Sequence, residues 1–251
     1  MSLLAEFRKE WRYLLRSYRL LIVAIVLLFF GLTSPILAKF TPELMTLIPT
    51  GGITIQMPPP SVMDAIGQYV KNMGQFGLLL GLLLTMGVVA QEKDRGTAAM
   101  MLVKPLPRGT FLLAKFLSLA AMFAVCLAIA GIAAYYYTYL LFEALSILDW
   151  LVLNLMLFTY TMVIVAITLL CSTLTSSQGA AVGIAISALV IGWFAGGILR
   201  LGKYMPGELI TWGVRLLQGD TSPSWIALGV SLALIILPFL AAWQIFRRQE
   251  L

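Results

Sequence analysis

The sequence predicts an all-α integral membrane protein. It reads as a single transmembrane domain over residues 1–251, with six membrane-spanning helices, an N-terminal amphipathic helix lying in the interface and a short cytoplasmic helix between the second and third spans. Three observations predict it. The chain is 61% hydrophobic and 11% charged, whereas a soluble domain carries roughly 25% charged residues. Too few charges remain to coat a water-facing surface, so lipid must solvate much of it. The apolar runs approach the roughly 20 residues needed to cross about 30 Å of hydrocarbon. The basic residues sit at the ends of those runs, which is the positive-inside pattern.

Residues 1–19 form the interfacial helix. Leu3, Leu4, Phe7, Trp11, Leu14, Leu15 and Tyr18 recur at helical spacing on one face, and Glu6, Lys9, Arg12, Arg16 and Arg19 mostly occupy the other. A basic amphipathic helix with Trp and Phe on its apolar side lies in the plane of the membrane surface. Its charged stretch is too long for a signal peptide and further spans follow, so it is expected to stay in the protein.

The spans are predicted at 20–38, 74–90, 116–142, 150–174, 179–199 and 225–246. Residues 39–60, with Pro42, Pro49, Gly51, Gly52 and Pro58-Pro59-Pro60, are too rich in proline for continuous helix. Ser61 and Asp64 then make a capping-box start, and Val62, Ile66, Tyr69, Val70 and Met73 form an apolar stripe leading into the second span. Residues 91–115 are the most polar connection, and Lys93, Arg95, Lys104, Arg108 and Lys115 place it in the cytoplasm. A short outer turn at 143–149 and a tight inner turn at 172–178 follow. In the outer segment 200–224, Leu209, Ile210, Trp212, Gly213, Leu216 and Leu217 predict a short amphipathic or re-entrant helix. The last span ends at Arg247-Arg248. Twelve of the 17 basic residues then lie inside and five outside, which puts both termini in the cytoplasm of a cell-membrane protein.

Composition also excludes several function classes. There is no histidine, the commonest general base and metal ligand. No carboxylates cluster for acid-base chemistry, which disfavours a membrane enzyme. Cys126 and Cys171 are isolated in apolar runs, without zinc or redox spacing, and read as small buried hydrophobes. The basic residues form no patch interleaved with aromatics, so nucleic acid is not a partner. The spans hold almost no ionisable residues, and Asp64, Glu143 and Asp149 lie at outer ends, which disfavours a proton- or sodium-coupled carrier or channel. The stretch from Gly197 to Lys203 fits G-x-x-x-x-G-K, but Tyr204 stands where a P-loop needs Ser or Thr, and no strand precedes it. The chain is therefore expected to have no catalytic, cofactor or metal residues and no ATPase site.

Small-residue pairs occur at Gly77 and Gly81, Gly179 and Gly183, and Gly192 and Gly196. Such spacing lets helices approach closely, either inside one bundle or at a dimer seam. Tyr135, Tyr136, Tyr137 and Tyr139 end the third span, as an aromatic belt at the interface or as a stacking surface for substrate.

The most informative stretch is the connection after the second span. Charges at Glu92, Lys93, Asp94 and Arg95 come first, then a short apolar helix over residues 96–103, then Pro105 and Pro107, which stop it. It is too short to span a bilayer. It is either a plain stop-transfer loop or an apolar surface that wants a lipid or protein partner.

This stretch resembles the cytoplasmic loop of ABC-2-type exporter permeases, the membrane subunits of a class of ATP-driven exporters. Their pattern is roughly E-x-x-x-G-T-x-x-x-L-x-x-P-x-x-R followed by a lysine. Here Glu92, Gly96, Thr97, Met101 or Leu102, Pro105, Arg108 and Lys115 supply it, with the leucine register slipped by one. Together with the interfacial helix and the six spans, the resemblance covers essentially the whole chain. It implies that residues 96–103 are a coupling helix docking into a separate ATPase subunit, with Glu92 and Arg95 at its rim. It implies that ATP and magnesium are bound by that partner and not by this chain. It further implies a second permease copy or a paralogue, with Gly77, Gly81, Gly192 and Gly196 near the seam and pathway, and export as the direction. An ABC-2-like mechanical transmitter in maturation or immunity, without bulk transport, is the alternative.

Overall fold

The computed structural model describes residues 3–46, 59–94, 108–198 and 201–249. Helix α1 (Leu3–Arg16) is amphipathic, as its sequence requires, and Phe7 stacks on Trp11. It ends earlier than expected. Tyr18 adopts φ +58°, the left-handed region that side chains other than glycine rarely enter, and this turns the chain into α2 (Arg19–Thr46).

Helix α2 corrects the proline argument. It continues through Pro35 and Pro42, well past 38. The residue before each proline adds a side-chain bond. The Ser34 hydroxyl donates to the Phe30 carbonyl and the Thr41 hydroxyl to the Leu37 carbonyl, four residues back. The carbonyls that lose an N–H donor to Pro35 and Pro42 are those of Gly31 and Ala38, so these bonds add to neighbouring carbonyls and do not replace the lost ones.

Helix α3 (Val62–Thr85) opens on the predicted capping box: the Asp64 amide donates to the Ser61 hydroxyl, and the Ser61 amide to the Asp64 carboxylate. Ile66, Tyr69 and Met73 of its apolar stripe are buried. A break at Met86 separates α3 from α4 (Gly87–Asp94). Helix α5 (Arg108–Leu141) begins at Arg108 and not at 116, so Lys115 is helical and not part of a loop. Helix α6 (Ile147–Leu174) and α7 (Gln178–Ile198) meet at the tight turn. A short 3-10 turn (Gly202–Tyr204) leads to α8 (Gly207–Leu217), and α9 (Trp225–Arg248) ends the described chain. Among the described residues, six helices are long and apolar enough to cross a membrane.

Helix α6 is the centre of the bundle. In its most apolar stretch 72% of residues are buried, against 17% in α7 and 17% in α9, so the last two present most of their surface outward. The main core joins α2, α3, α5 and α6 through Leu27, Ile66, Met73, Phe123, Leu153 and Leu157. Helix α8 packs on α6 by Leu209, Trp212 and Gly213, all buried, which gives the outer amphipathic segment its apolar side. Several buried polar groups in the spans find partners, as lipid favours. The Tyr69 hydroxyl donates to Asn154 Oδ1 (2.5 Å), the Trp150 indole to the Gly131 carbonyl (3.1 Å) and Asn72 Nδ2 to the Ser34 hydroxyl (2.9 Å). Both cysteines are buried and free.

Candidate functional site: a buried charge chain under the interfacial helix

One end of the bundle gathers α1, the end of α4, the start of α5, the end of α6 and the end of α9. There α1 departs from the expected division of faces. The side it lays on α5 is Glu6, Glu10 and Leu14, spaced one turn apart and all buried. Much of the apolar stripe instead faces outward: Leu4 is 74% exposed, Leu15 50% and Tyr18 67%. Glu6 is thus not one of the solvated charges that periodicity predicts, and the reason is tertiary. Packing on α5 covers this side of α1; Lys9 of the same helix pairs Glu6, and α5 offers a cation to Glu10.

That cation is Lys115, only 4% exposed. Its ammonium donates to Glu92 of α4 at 2.6 Å and to Glu10 of α1 at 3.2 Å. Lys9 continues the series, 3.3 Å from Glu10 and 2.5 Å from Glu6. The result is an alternating row, Glu6, Lys9, Glu10, Lys115 and Glu92, that ties three helices together. The Phe111 ring lies between the two ammonium groups, 4.9 Å from that of Lys115 and 5.8 Å from that of Lys9, a favourable place for cations. Burial disfavours the charged form of Lys9, but Glu6 and Glu10 outweigh it and hold its pKa above the usual lysine value, so it stays charged at neutral pH.

Helix α4 is gripped a second time, on its other side, by α6. The Ser172 hydroxyl accepts from the amides of Val89 (3.1 Å) and Ala90 (3.0 Å) and donates to the Met86 carbonyl (2.8 Å). These bonds satisfy backbone groups loosened by the break at Met86. Lys93 Nζ and Gln249 Nε2 both donate to the Thr173 carbonyl, near the end of α6, where a cation also suits the helix dipole. At the start of α5, Gly109 lies against α9 so closely that a Cβ there would come within 2.6 Å of the Trp243 indole.

The predicted site residues divide by this geometry. Glu92 and Lys115, two ends of the loop pattern, meet directly. Arg108 opens α5. Arg95, Gly96, Thr97, Met101, Leu102 and Pro105 lie outside the described residues, as does the segment 96–103. The clamps therefore hold the end of α4 and the first turns of α5, the described elements on either side of residues 95–107. Gly77 and Gly81 are buried against α6 of the same chain: a Cβ would sit 3.0 Å from Thr161 Oγ1 at the first and 3.3 Å from Ile164 Cγ2 at the second. Gly196 packs on Met205, whereas a Cβ at Gly192 meets nothing within 4 Å among the described residues. Sequence reasoning missed the roles of Glu6 and Glu10. The available signal was two carboxylates one turn apart, in line with Leu14 and away from the basic face.

Comparison with known proteins agrees with this architecture. Residues 4–251 match the family described as "ABC-2 family transporter protein". The chain is also 26% identical over 255 residues to a protein of Bacillus subtilis (strain 168) named "Uncharacterized transmembrane protein YxlG", covering 99% of this chain and 98% of that one. With six helices among the described residues long and apolar enough to cross a membrane, and a family match over nearly its whole length, the chain is a multi-pass membrane protein of the ABC-2 transporter family.

Proposed function

We propose that this chain is the permease subunit of an ABC exporter, working with a second copy or a paralogue and driven by separate ATPase subunits that bind ATP and magnesium. The observation that carries the reading is the double clamp on α4, the helix that leads into the proposed coupling loop 95–107. Glu92 is tied through Lys115 to α1 and α5, and Lys93 is tied to the end of α6. A push on that loop reaches the interfacial helix and the central helix together. In this reading residues 96–103 are the coupling helix, with Thr97 near its start and Arg95, Pro105 and Arg108 at its borders. The clamped end of the bundle is cytoplasmic, with both termini there. The outward face of α7, open at Gly192, belongs to the permease pair, with the translocation path beside it.

An apolar helix in water is costly at roughly 25 cal/mol per Å², and a groove on the ATPase would cover it. Placing Asp at Met101 or Leu102 puts an unpaired charge in that groove, which is expensive to desolvate. Met101→Asp and Leu102→Asp should each release the ATPase or abolish substrate-stimulated hydrolysis in lipid, while the membrane bundle still elutes as wild type. Wild-type association and stimulation in both variants would refute the coupling assignment. ATPase coupling without movement of any solute would favour mechanical transmission.

Orientation has its own test. In a Cys126→Ser, Cys171→Ser background, a cysteine at Thr97 should react with a membrane-impermeant maleimide only after the cells are opened. Labelling of intact cells would invert the topology.

A further inference from the structure

We propose that the outer face of α1 is a binding site for the phosphate headgroups of anionic phospholipid. Arg8, Arg12 and Arg16 follow one another at one-turn spacing and are all exposed, forming a row about 12 Å long at 1.5 Å per residue. The carboxylates of the helix are turned away from this row, because Glu6 and Glu10 point inward to Lys9 and Lys115. Among the described residues none of the three arginines has an acidic partner. A shallow groove of about 520 Å³ runs along the row, lined by Leu4, Ala5, Arg8, Arg12, Tyr13 and Arg16. Arg19 lies over the Tyr13 ring, 5.3 Å from its centroid, and extends the positive edge.

The occupant follows from what borders the row. On the adjoining side Leu4, Leu15 and Tyr18 are open, and an apolar edge beside guanidinium groups matches acyl chains beside a phosphate headgroup. Guanidinium presents paired N–H donors suited to phosphate oxygens. A zwitterionic headgroup places a cation beside its phosphate and meets the row less well than an anionic one. The inference needs α1 to lie along the membrane surface, but not ATP-driven transport.

The test uses the purified full-length protein in a neutral detergent, with thermal unfolding followed by tryptophan fluorescence. It is titrated separately with dioleoyl phosphatidylglycerol, dioleoyl phosphatidylcholine and inorganic phosphate. Phosphatidylglycerol should raise the unfolding temperature, and the other two should not. Each arginine near an anionic surface contributes about fivefold in affinity, so Arg8→Gln/Arg12→Gln/Arg16→Gln should weaken the apparent affinity on the order of a hundredfold. The corresponding triple lysine variant should stay within about tenfold of wild type. An equal response to phosphatidylcholine overturns the proposal, and so does full reproduction of the shift by inorganic phosphate. Wild-type phosphatidylglycerol affinity in the glutamine variant overturns it as well. If the glutamine variant fails to fold, salt on the wild type decides: the shift must vanish at about 1 M salt, where the Debye length is about 3 Å, and its persistence refutes an electrostatic site. No ATPase or nucleotide is present, so failure here leaves the coupling reading standing.

Discussion

Lys115→Met should destabilise the protein by about 3–5 kcal/mol and cause the largest loss at the candidate site. The substitution keeps much of the apolar stem but removes the ammonium between Glu10 and Glu92, whose side chains are 11% and 22% exposed. Breaking a buried pair by removing one partner leaves the other charge without compensation, which is where that magnitude originates. Here two carboxylates lose the same partner. Glu10 keeps Lys9 at 3.3 Å, and Glu92 is partly open to water, so the effect should fall toward the lower end. The measurement is the unfolding midpoint of the purified protein in detergent. The informative comparison is Glu10→Gln/Glu92→Gln/Lys115→Met, which removes all three charges and should recover most of the loss. A buried charge network is often little more stable than its neutral replacement. If Lys115→Met unfolds like wild type, the row does not join these helices. If the triple variant is no better than the single one, the packing of the lysine stem, rather than its charge, dominates.

Gly31→Leu should have a comparable effect at the opposite type of contact, one made of backbone. Gly31 is buried in α2, and a Cβ there would lie 2.8 Å from the Ala130 carbonyl oxygen and 3.3 Å from the Ala130 Cα. Real Cβ atoms do not approach that closely, and what stands in the way is the backbone of α5, which cannot rotate aside. Overpacking of a tight core costs about 1–3 kcal/mol and more where the backbone must move. Even Gly31→Ala should fall in that range, with Leu beyond it. Because the obstruction is backbone, Ala130→Gly should not rescue Gly31→Ala. Thermal unfolding and the fraction of protein eluting as a single species would register both effects. A Gly31→Leu protein with a wild-type midpoint would mean that α2 and α5 are not held at this separation. Replacement of Gly192 by Leu makes a useful contrast, since a Cβ there meets nothing within 4 Å among the described residues. Its midpoint should be unchanged, and any effect should appear only in pairing of protomers.

These two contacts show how unevenly the fold was legible. The glycines that attract attention in a sequence are those spaced four apart. Gly77 and Gly81 do lie close on α6, where an added Cβ would stand 3.0 Å from Thr161 Oγ1 and 3.3 Å from Ile164 Cγ2. The tightest positions are instead single glycines, Gly31, Gly109, Gly131 and Gly213, where an added Cβ would stand within 2.8 Å of an atom of another helix. No local spacing marks them, because that contact is set by tertiary packing and not by neighbours in the same helix. The prolines of α2 carry the same lesson. Proline density reads as a break, yet α2 continues through Pro35 and Pro42, since without water to compete a helix is the way its remaining backbone groups stay satisfied.

What the sequence determined by itself is whatever depends on composition and local order. Low charge and long apolar runs dictated a helical membrane protein, since helices satisfy their own backbone groups in lipid. The pair Ser61 and Asp64 dictated where α3 starts, and the period of Leu209, Trp212 and Gly213 dictated an amphipathic α8. The pattern from Glu92 to Lys115 pointed to the ABC-2 family, to which the chain belongs. Only the tertiary structure decided the direction in which charges face. Glu6 and Glu10 lie on a helix rich in arginine, and the sequence reading places Glu6 with the solvated charges and gives Glu10 no role. Glu6 is held by Lys9 of its own helix, but Glu10 is buried because α5 places Lys115 at the same depth. Whether a carboxylate is buried depends on a partner that repays its desolvation, and that partner is 105 residues away in the chain.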